Sequence, residues 1–296
     1  MATPVELHLH LGAHKTATTY LQETLIANRE ALSAKGVAYF GPATLRALPP
    51  GLLNIPTRRA GLRLMRIASA RFRLWRATRA RGARRMIVSE ENFSGSCGGI
   101  LRAGVIYPAM ARRLVGLPRR YDRSTTTVYF CVRSYPGFLA SCHAQLARNN
   151  RPGPLPPFPA EALLTLRRRW PDVADDLRAN FPSARIVFWR YEDFDALEDA
   201  ILSRMTGLDV AGFSRPSERP LPSLSAVGMA RLAEKETRRG AALDPEAVRL
   251  LVEETSIAKG FPRYDPWNAE DRAALESAYA EDWAALSARS DVETLG

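Results

Sequence analysis

The segment VELHLHLGAHKTATTYLQETL, Val5 to Leu25, constrains the fold more than any other stretch of the chain. Val5, Leu7, Leu9 and Leu11 alternate with Glu6, His8 and His10, which is the period of a strand. A short turn then enters a helical pattern from about Thr16 to Lys35, with Leu21, Leu25, Ile26 and Leu32 near helical spacing and Gly36 as the stop. VAYF (37–40) reads as the next strand. Strand, turn, helix and strand in this order predict a parallel sheet, because parallel neighbours need a crossover between them. Three further strands are expected at RMIVS (85–89), TTTVYFCV (125–132) and ARIVFWRY (184–191), each β-branched or aromatic and each followed by a helical pattern. The expected class is α/β, a central parallel sheet of about five strands flanked by helices.

Pro-rich stretches at 152–159 and 216–222 read as loops, and the part from 222 to 296 reads as helical. No internal repeat divides the chain, so one domain over 1–296 is expected. Its 46% hydrophobic content supports one substantial core, and 25% charged residues fit a globular chain. Basic residues number 42 against 31 acidic, a net +11 that favours anionic partners. Nearly all of that charge is arginine, since lysine stands only at 15, 35, 235 and 259. A rare lysine just after a strand is therefore a marked position. Cys97, Cys131 and Cys142 have neither metal-like nor disulfide-scaffold spacing and read as buried free thiols of a reducing compartment. The N-terminus carries no basic stretch leading into an apolar one, and no segment approaches the roughly 18 apolar residues of a membrane span. The expected setting is cytoplasmic, or peripheral to the inner membrane surface.

In open α/β sheets, ligands gather at the carboxyl ends of the strands. That rule selects His14–Tyr20, Ser89–Phe93, Arg133–Ser141 and Tyr191–Asp193. In HLGAHKTATTY the free N–H groups of a helix start, the Lys15 cation and the hydroxyls of Thr16, Thr18 and Thr19 suit an anion. The triphosphate loop G-x-x-x-x-G-K-[ST] is not met, because His14 precedes Lys15 where glycine should stand. A loop this short wraps one phosphate and its neighbour; the plain alternative is a capped helix with a surface lysine. In VYFCVRSYPGFLASCH, Arg133 ends a strand and Ser141 follows eight residues later, within a helix opened by proline. Together they could hold a second phosphate by a guanidinium fork and a hydroxyl.

These two sites resemble the 3′-phosphoadenosine 5′-phosphosulfate (PAPS)-dependent sulfotransferase family, in its bacterial, P-loop-type form. The first family motif, K-[ST]-G-T-T-[WY], stands here as Lys15-Thr16-Ala17-Thr18-Thr19-Tyr20, and the second as Arg133 with Ser141. A third, Y-E-D-[LF], stands as Tyr191–Phe194. The resemblance covers roughly residues 5 to 210. It implies that Lys15, Thr16, Ala17, Thr18 and Thr19 bind the 5′-phosphosulfate, that Arg133 and Ser141 bind the 3′-phosphate, and that Tyr191 lies near the adenine. Tyr20 stands where many members place a stacking tryptophan. ETRRGAALD (236–244) is similar to a family loop over the 3′-phosphate and makes Arg238 and Arg239 candidates. Ala17 replaces the motif glycine. A left-handed backbone would strain it, whereas a residue of the first helical turn would not be strained, and the second is expected.

Sulfuryl transfer to a hydroxyl needs a base beside the acceptor oxygen. In MIVSEENFSG the resemblance assigns that role to Glu91, with Glu90 in reserve; the plain alternative is a pair of carboxylates on a helix dipole. Lys15 would neutralise charge on the leaving bridge oxygen, and His14 could touch the transferred group. His8, His10 and His14 invite a metal reading, but central parallel strands bury both faces and no metal is implied. The run 57–85, with eleven arginines among Leu, Met, Ile, Phe and Trp, reads as an Arg-rich helical insertion. Its heads are either solvated or a docking surface for an anionic acceptor or lipid headgroups. No nucleic acid is expected. The expectation is thus an enzyme that moves the sulfuryl group of PAPS to a hydroxyl acceptor, carbohydrate or glycolipid foremost, and releases the bisphosphate PAP. The rivals are a P-loop kinase or nucleotide hydrolase and a non-catalytic binder of acidic glycan or lipid.

Overall fold

The computed structural model describes residues 5–48, 60–115, 126–149, 151–217 and 224–296. Six strands form one sheet: β1 (Glu6–His10), β2 (Val37–Phe40), β3 (Arg85–Ser89), β4 (Thr126–Val132), β5 (Arg185–Arg190) and β6 (Glu293–Leu295). Their order is β2-β3-β1-β4-β5-β6 and every pair is parallel. Five strands were expected, and four of them have the predicted bounds to within about a residue. The fifth, β1, is a little shorter than the Val5–Leu11 alternation. β6 was not expected: three residues carry too little pattern to announce a strand, and only the exposed edge of β5 gives them hydrogen bonds to make.

Thirteen α-helices lie among the described residues. The first six are α1 (Thr18–Ala27), α2 (Arg29–Ala34), α3 (Pro42–Ala47), α4 (Ala60–Ala80), α5 (Cys97–Ala103) and α6 (Met110–Leu114). After β4 come α7 (Tyr135–Arg148), α8 (Ala160–Leu164), α9 (Trp170–Asn180) and α10 (Phe194–Thr206). The C-terminal part holds α11 (Ala226–Arg239), α12 (Pro245–Glu254) and α13 (Ala269–Ser287). The single helix expected over 16–35 is broken at Asn28. The Asn28 backbone N–H keeps its helical bond to the Thr24 carbonyl, while its side-chain amide donates to the Thr24 and Ser214 carbonyls and ties the break to a distant loop. Of the Arg-rich run, 57–59 lies outside the described residues, and the rest is mostly α4. The loop expected at 216–222 also falls largely outside them.

Helices cover both faces of the sheet. Leu7 and Leu9 of β1 pack with Phe130, Phe138, Leu139, Trp170 and Leu177, drawing α5, α7, α9 and α13 onto one face. Leu21 and Leu25 of α1 pack with Tyr129, Cys131, Trp189, Ile201 and Met205 on the other. A smaller cluster ties α11 and α12 to α7 through Ala144 and Ala147. Helices that follow the adjacent strands β1 and β4 thus leave on opposite faces. This opens a crevice at their carboxyl ends, the switch point of an open α/β sheet. No helix among the described residues is long and apolar enough to cross a membrane.

Candidate functional site

The crevice is a cleft of about 1360 Å³. The predicted positions Lys15, Thr16, Ala17, Thr18, Thr19, Tyr20, Glu91, Arg133, Ser141 and Tyr191 all line it, and so does His14. Glu90 and Arg239 do not. Four chain segments far apart in sequence meet there because each ends a parallel strand.

The loop after β1 is tightly specified. Gly12 has φ 42°, and a Cβ on it would stand 2.9 Å from Thr18 Oγ1 and 3.3 Å from His10 Nε2, so both conformation and space require glycine. Lys15 (φ 62°) and Ala17 (φ 59°) are left-handed on either side of Thr16. Alternation of this kind turns consecutive backbone N–H groups toward one side and forms an anion-binding concavity. The expectation that Ala17 opens the first helical turn is therefore corrected: Ala17 is the left-handed N-cap of α1. A Cβ there costs about 1–2 kcal/mol, and the loop geometry imposes that conformation regardless. No side chain caps α1, so its first N–H groups remain open to the cleft.

The threonines divide their work. Thr16 Oγ1 and Thr18 Oγ1 both donate to the Ala13 carbonyl, at 2.6 and 3.2 Å, which shapes the loop. Thr19, half-buried on the cleft wall, keeps its hydroxyl free of any described partner. Lys15 Nζ reaches Gln145 Oε1 at 3.4 Å, and burial lowers its pKa.

Arg133 joins three of the four segments. Its Nη1 donates to the Lys15 carbonyl at 2.7 Å and its guanidinium lies 4.5 Å from the Tyr191 ring centre. Gly137 makes room for it, since a Cβ there would come within 3.3 Å of Nε. Ser141, on the second turn of α7, has no described hydrogen-bond partner. The Tyr191–Phe194 motif also builds the floor: Glu192 accepts from Ser134 N (3.0 Å) and Tyr279 Oη (2.8 Å), Asp193 pairs with Arg190, and Phe194 is buried. Tyr20 packs edge-on against Phe194, 6.0 Å between ring centres.

The two carboxylates differ. Glu90 is 0% exposed; Arg46 donates to both its oxygens at 2.8 Å, and Asn92 donates to Oε1 from its amide at 2.7 Å and its backbone at 3.2 Å. Glu91 faces the cleft, and Gln22 Nε2 donates to its Oε2 at 3.1 Å. The same Gln22 amide reaches Ser89 Oγ, which bonds His10 Nδ1 at 2.8 Å. His14 is engaged on both ring nitrogens: Tyr107 Oη stands 2.9 Å from Nδ1 and Asn92 Oδ1 3.3 Å from Nε2. Since Asn92 Oδ1 can only accept, Nε2 carries the proton and Nδ1 accepts from Tyr107, and burial lowers the His14 pKa. His8 bonds Tyr129 Oη at 2.9 Å, and burial pushes both His8 and His10 down to about 4. Among the described residues no three His, Cys, Asp or Glu side chains stand together as a metal site.

Arg239 ends α11 at the exposed surface, and Arg238 pairs with Glu234. Sequence reasoning missed Gln22, Tyr107, Gln145, Arg102 and Arg263. Arg263 reaches the cleft because Ser225 and Arg263 form a β-bridge that folds the segment before α13 over it. A polar glutamine on the buried face of α1, between Leu21 and Leu25, was the one sequence signal available. The lining holds seven cations, Lys15, Arg46, Arg102, Arg133, Arg151, Arg263 and Arg272, against the carboxylates of Glu91 and Asp265. Lys15, Arg102, Arg133 and Arg263 form no ion pair with a described carboxylate, so the cleft carries a strong excess of positive charge. Compared with known proteins, the chain matches no family model and no curated sequence.

Proposed function

We propose that the chain transfers the sulfuryl group of PAPS to a hydroxyl acceptor. The observation that carries this reading is the convergence on one cleft of the Lys15–Thr19 loop, of Arg133 with Ser141 and of the Glu91 carboxylate. The loop at Lys15–Thr19, with its open helix start, suits the 5′-phosphosulfate. Arg133 and Ser141 suit the 3′-phosphate, and Tyr191 offers a ring to the base. In the reaction the acceptor oxygen attacks sulfur, the new S–O bond forms, and the bond from sulfur to the phosphate bridge oxygen breaks. Glu91 takes the acceptor proton, held in orientation by Gln22. Lys15 offsets the charge that gathers on the bridge oxygen as PAP leaves. Positioning and charge stabilisation carry most of such a transfer. Glu90, buried and saturated by Arg46 and Asn92, serves as the anchor of this turn and not as the base. The three buried, free cysteines fit a reducing, cytoplasmic setting, and carbohydrate or glycolipid hydroxyls remain the acceptors of choice.

The test is calorimetry with adenosine 3′,5′-bisphosphate. Ser141→Ala removes a hydroxyl that holds nothing else, and about a fivefold loss of affinity is expected, one neutral hydrogen bond. Arg133→Ala should lose at least tenfold. Equal affinity in all three proteins, or magnesium-dependent ATP turnover by the wild type, would overturn the assignment in favour of a kinase or nucleotide hydrolase.

A further inference from the structure

The helix α4 packs against the sheet through Ala70, Leu74 and Thr78, one residue per turn, all buried. Thr78 Oγ1 donates to the Leu74 carbonyl and touches Met86 Sδ of β3 at 3.2 Å. The opposite side carries Phe72, 58% exposed, and Trp75, 37% exposed, stacked with ring centres 6.2 Å apart. They are the two aromatics among the exposed large apolar side chains of the described residues. Arg73, Arg76 and Arg79 are exposed around them, and the Arg79 guanidinium lies 5.4 Å from the Trp75 ring centre.

Several exposed helical arginines elsewhere are neutralised by a neighbouring carboxylate. Arg238 pairs with Glu234, Arg249 with Glu246 and Glu253, and Arg272 with Glu276, each within its own helix. Arg73, Arg76 and Arg79 form no ion pair with a described residue. Nor does the local sequence offer one: from Ala31 to Ser89 it contains no Asp or Glu. A helix meant only to be solvated intersperses both signs. Here one face combines unneutralised arginines with an exposed aromatic pair, and nothing nearby in sequence answers the charge.

We infer that this face of α4 docks on a bilayer surface containing anionic phospholipids. Arginine heads meet lipid phosphates while Phe72 and Trp75 enter the interface, where aromatic rings with a polar rim settle. Single-stranded nucleic acid fits less well, because it is held in grooves that present separate rings to successive bases. Here the surface is a convex helix whose two rings already stack on each other. The crossover between parallel β2 and β3 sends α4 back from the carboxyl ends of the strands. At 21 residues, about 31 Å, it is roughly twice as long as the five-residue β3. Its N-terminal half therefore extends past the carboxyl end of β3. The inference is independent of the sulfuryl-transfer reading.

The experiment is co-sedimentation of the full chain with vesicles of phosphatidylcholine alone and of phosphatidylcholine with one-third phosphatidylglycerol. Binding to the anionic vesicles should be at least tenfold tighter. Phe72→Ser with Trp75→Ser, which keeps every charge, should weaken it at least fivefold, with the circular dichroism melt unchanged. Arg73→Gln, Arg76→Gln and Arg79→Gln together should erase the anionic preference. Brominated lipid should quench wild-type tryptophan fluorescence, and Trp75→Phe should abolish that quenching. Absence of vesicle binding, or equal binding by the wild type and the aromatic variant, would overturn the inference. Tighter binding to a single-stranded oligonucleotide than to anionic vesicles, lost in the aromatic variant, would overturn it in favour of nucleic acid.

Discussion

Glu90 and Glu91 are neighbours in sequence and opposites in environment, so substitution separates them. Glu91→Gln keeps the hydrogen bond to Gln22 within reach and removes the carboxylate that the proposed transfer uses as its base. Turnover with labelled PAPS should fall about 10²–10⁴-fold while bisphosphate affinity stays within about twofold. Glu90→Gln disrupts a fully buried carboxylate with four short donor contacts and should instead cost about 2 kcal/mol of stability, read by urea denaturation. Equal effects of the two variants on both measurements would remove the distinction. Ala17 gives a second residue-level expectation. Its φ of 59° makes glycine the better residue, and Ala17→Gly should raise stability by about 0.5 kcal/mol, after loss of the methyl contacts, in a thermal melt. Lys15, Arg133, Ser141 and Glu91 could be picked from the sequence because each follows a strand pattern. Gln22 and Tyr107 could not, since an amide inside a helix and a tyrosine in a turn acquire their roles only through the side chains they meet.

At the scale of elements, the polar face of β1 is buried, as expected of a central parallel strand: His10 is 0% exposed and His8 6%. A second layer of helices covers that face, and the imidazoles bond to Tyr129 and Ser89. Burial holds His10 neutral, with its pKa pushed down to about 4 against 6.5 in the unfolded chain. Between those values the unfolded chain binds the extra proton, so stability is full above about pH 6.5 and falls as pH drops toward 4. The loss at the lower end is about 3 kcal/mol for this one group. Urea midpoints across that range should show the slope, and His10→Gln should flatten it; an unchanged slope would mean that other groups set the acid limit. The helices α7, α9 and α13 are likewise joined by polar bonds that no periodicity foretells. Tyr135 donates to Asp282, Trp170 N donates to Tyr135 Oη at 2.8 Å, and Arg169 donates to Asp282 at 2.9 Å.

For the molecule as a whole, charge is the dominant property: a net +11, concentrated as arginine, with the cleft lined by cations. The Debye length shrinks from about 10 Å at 0.1 M salt to about 3 Å at 1 M. Bisphosphate affinity, measured by calorimetry, should therefore fall at least about tenfold between roughly 0.05 and 0.5 M salt. Salt-independent binding would mean that the unpaired arginines do not reach the ligand. The sequence by itself determined the alternation of strands and helices, because periods of two and of 3.6 are written into local order. It also determined which polar residues stand at strand ends and the net positive charge of the chain. Only the tertiary structure decided the left-handed backbone of Ala17, the edge strand β6, the burial of Glu90 beneath Arg46 and Asn92 and the arrival of Arg263 at the cleft. Each of those depends on which distant groups pack or hydrogen-bond against a residue, and such pairings between remote parts of the chain leave no periodic trace in it.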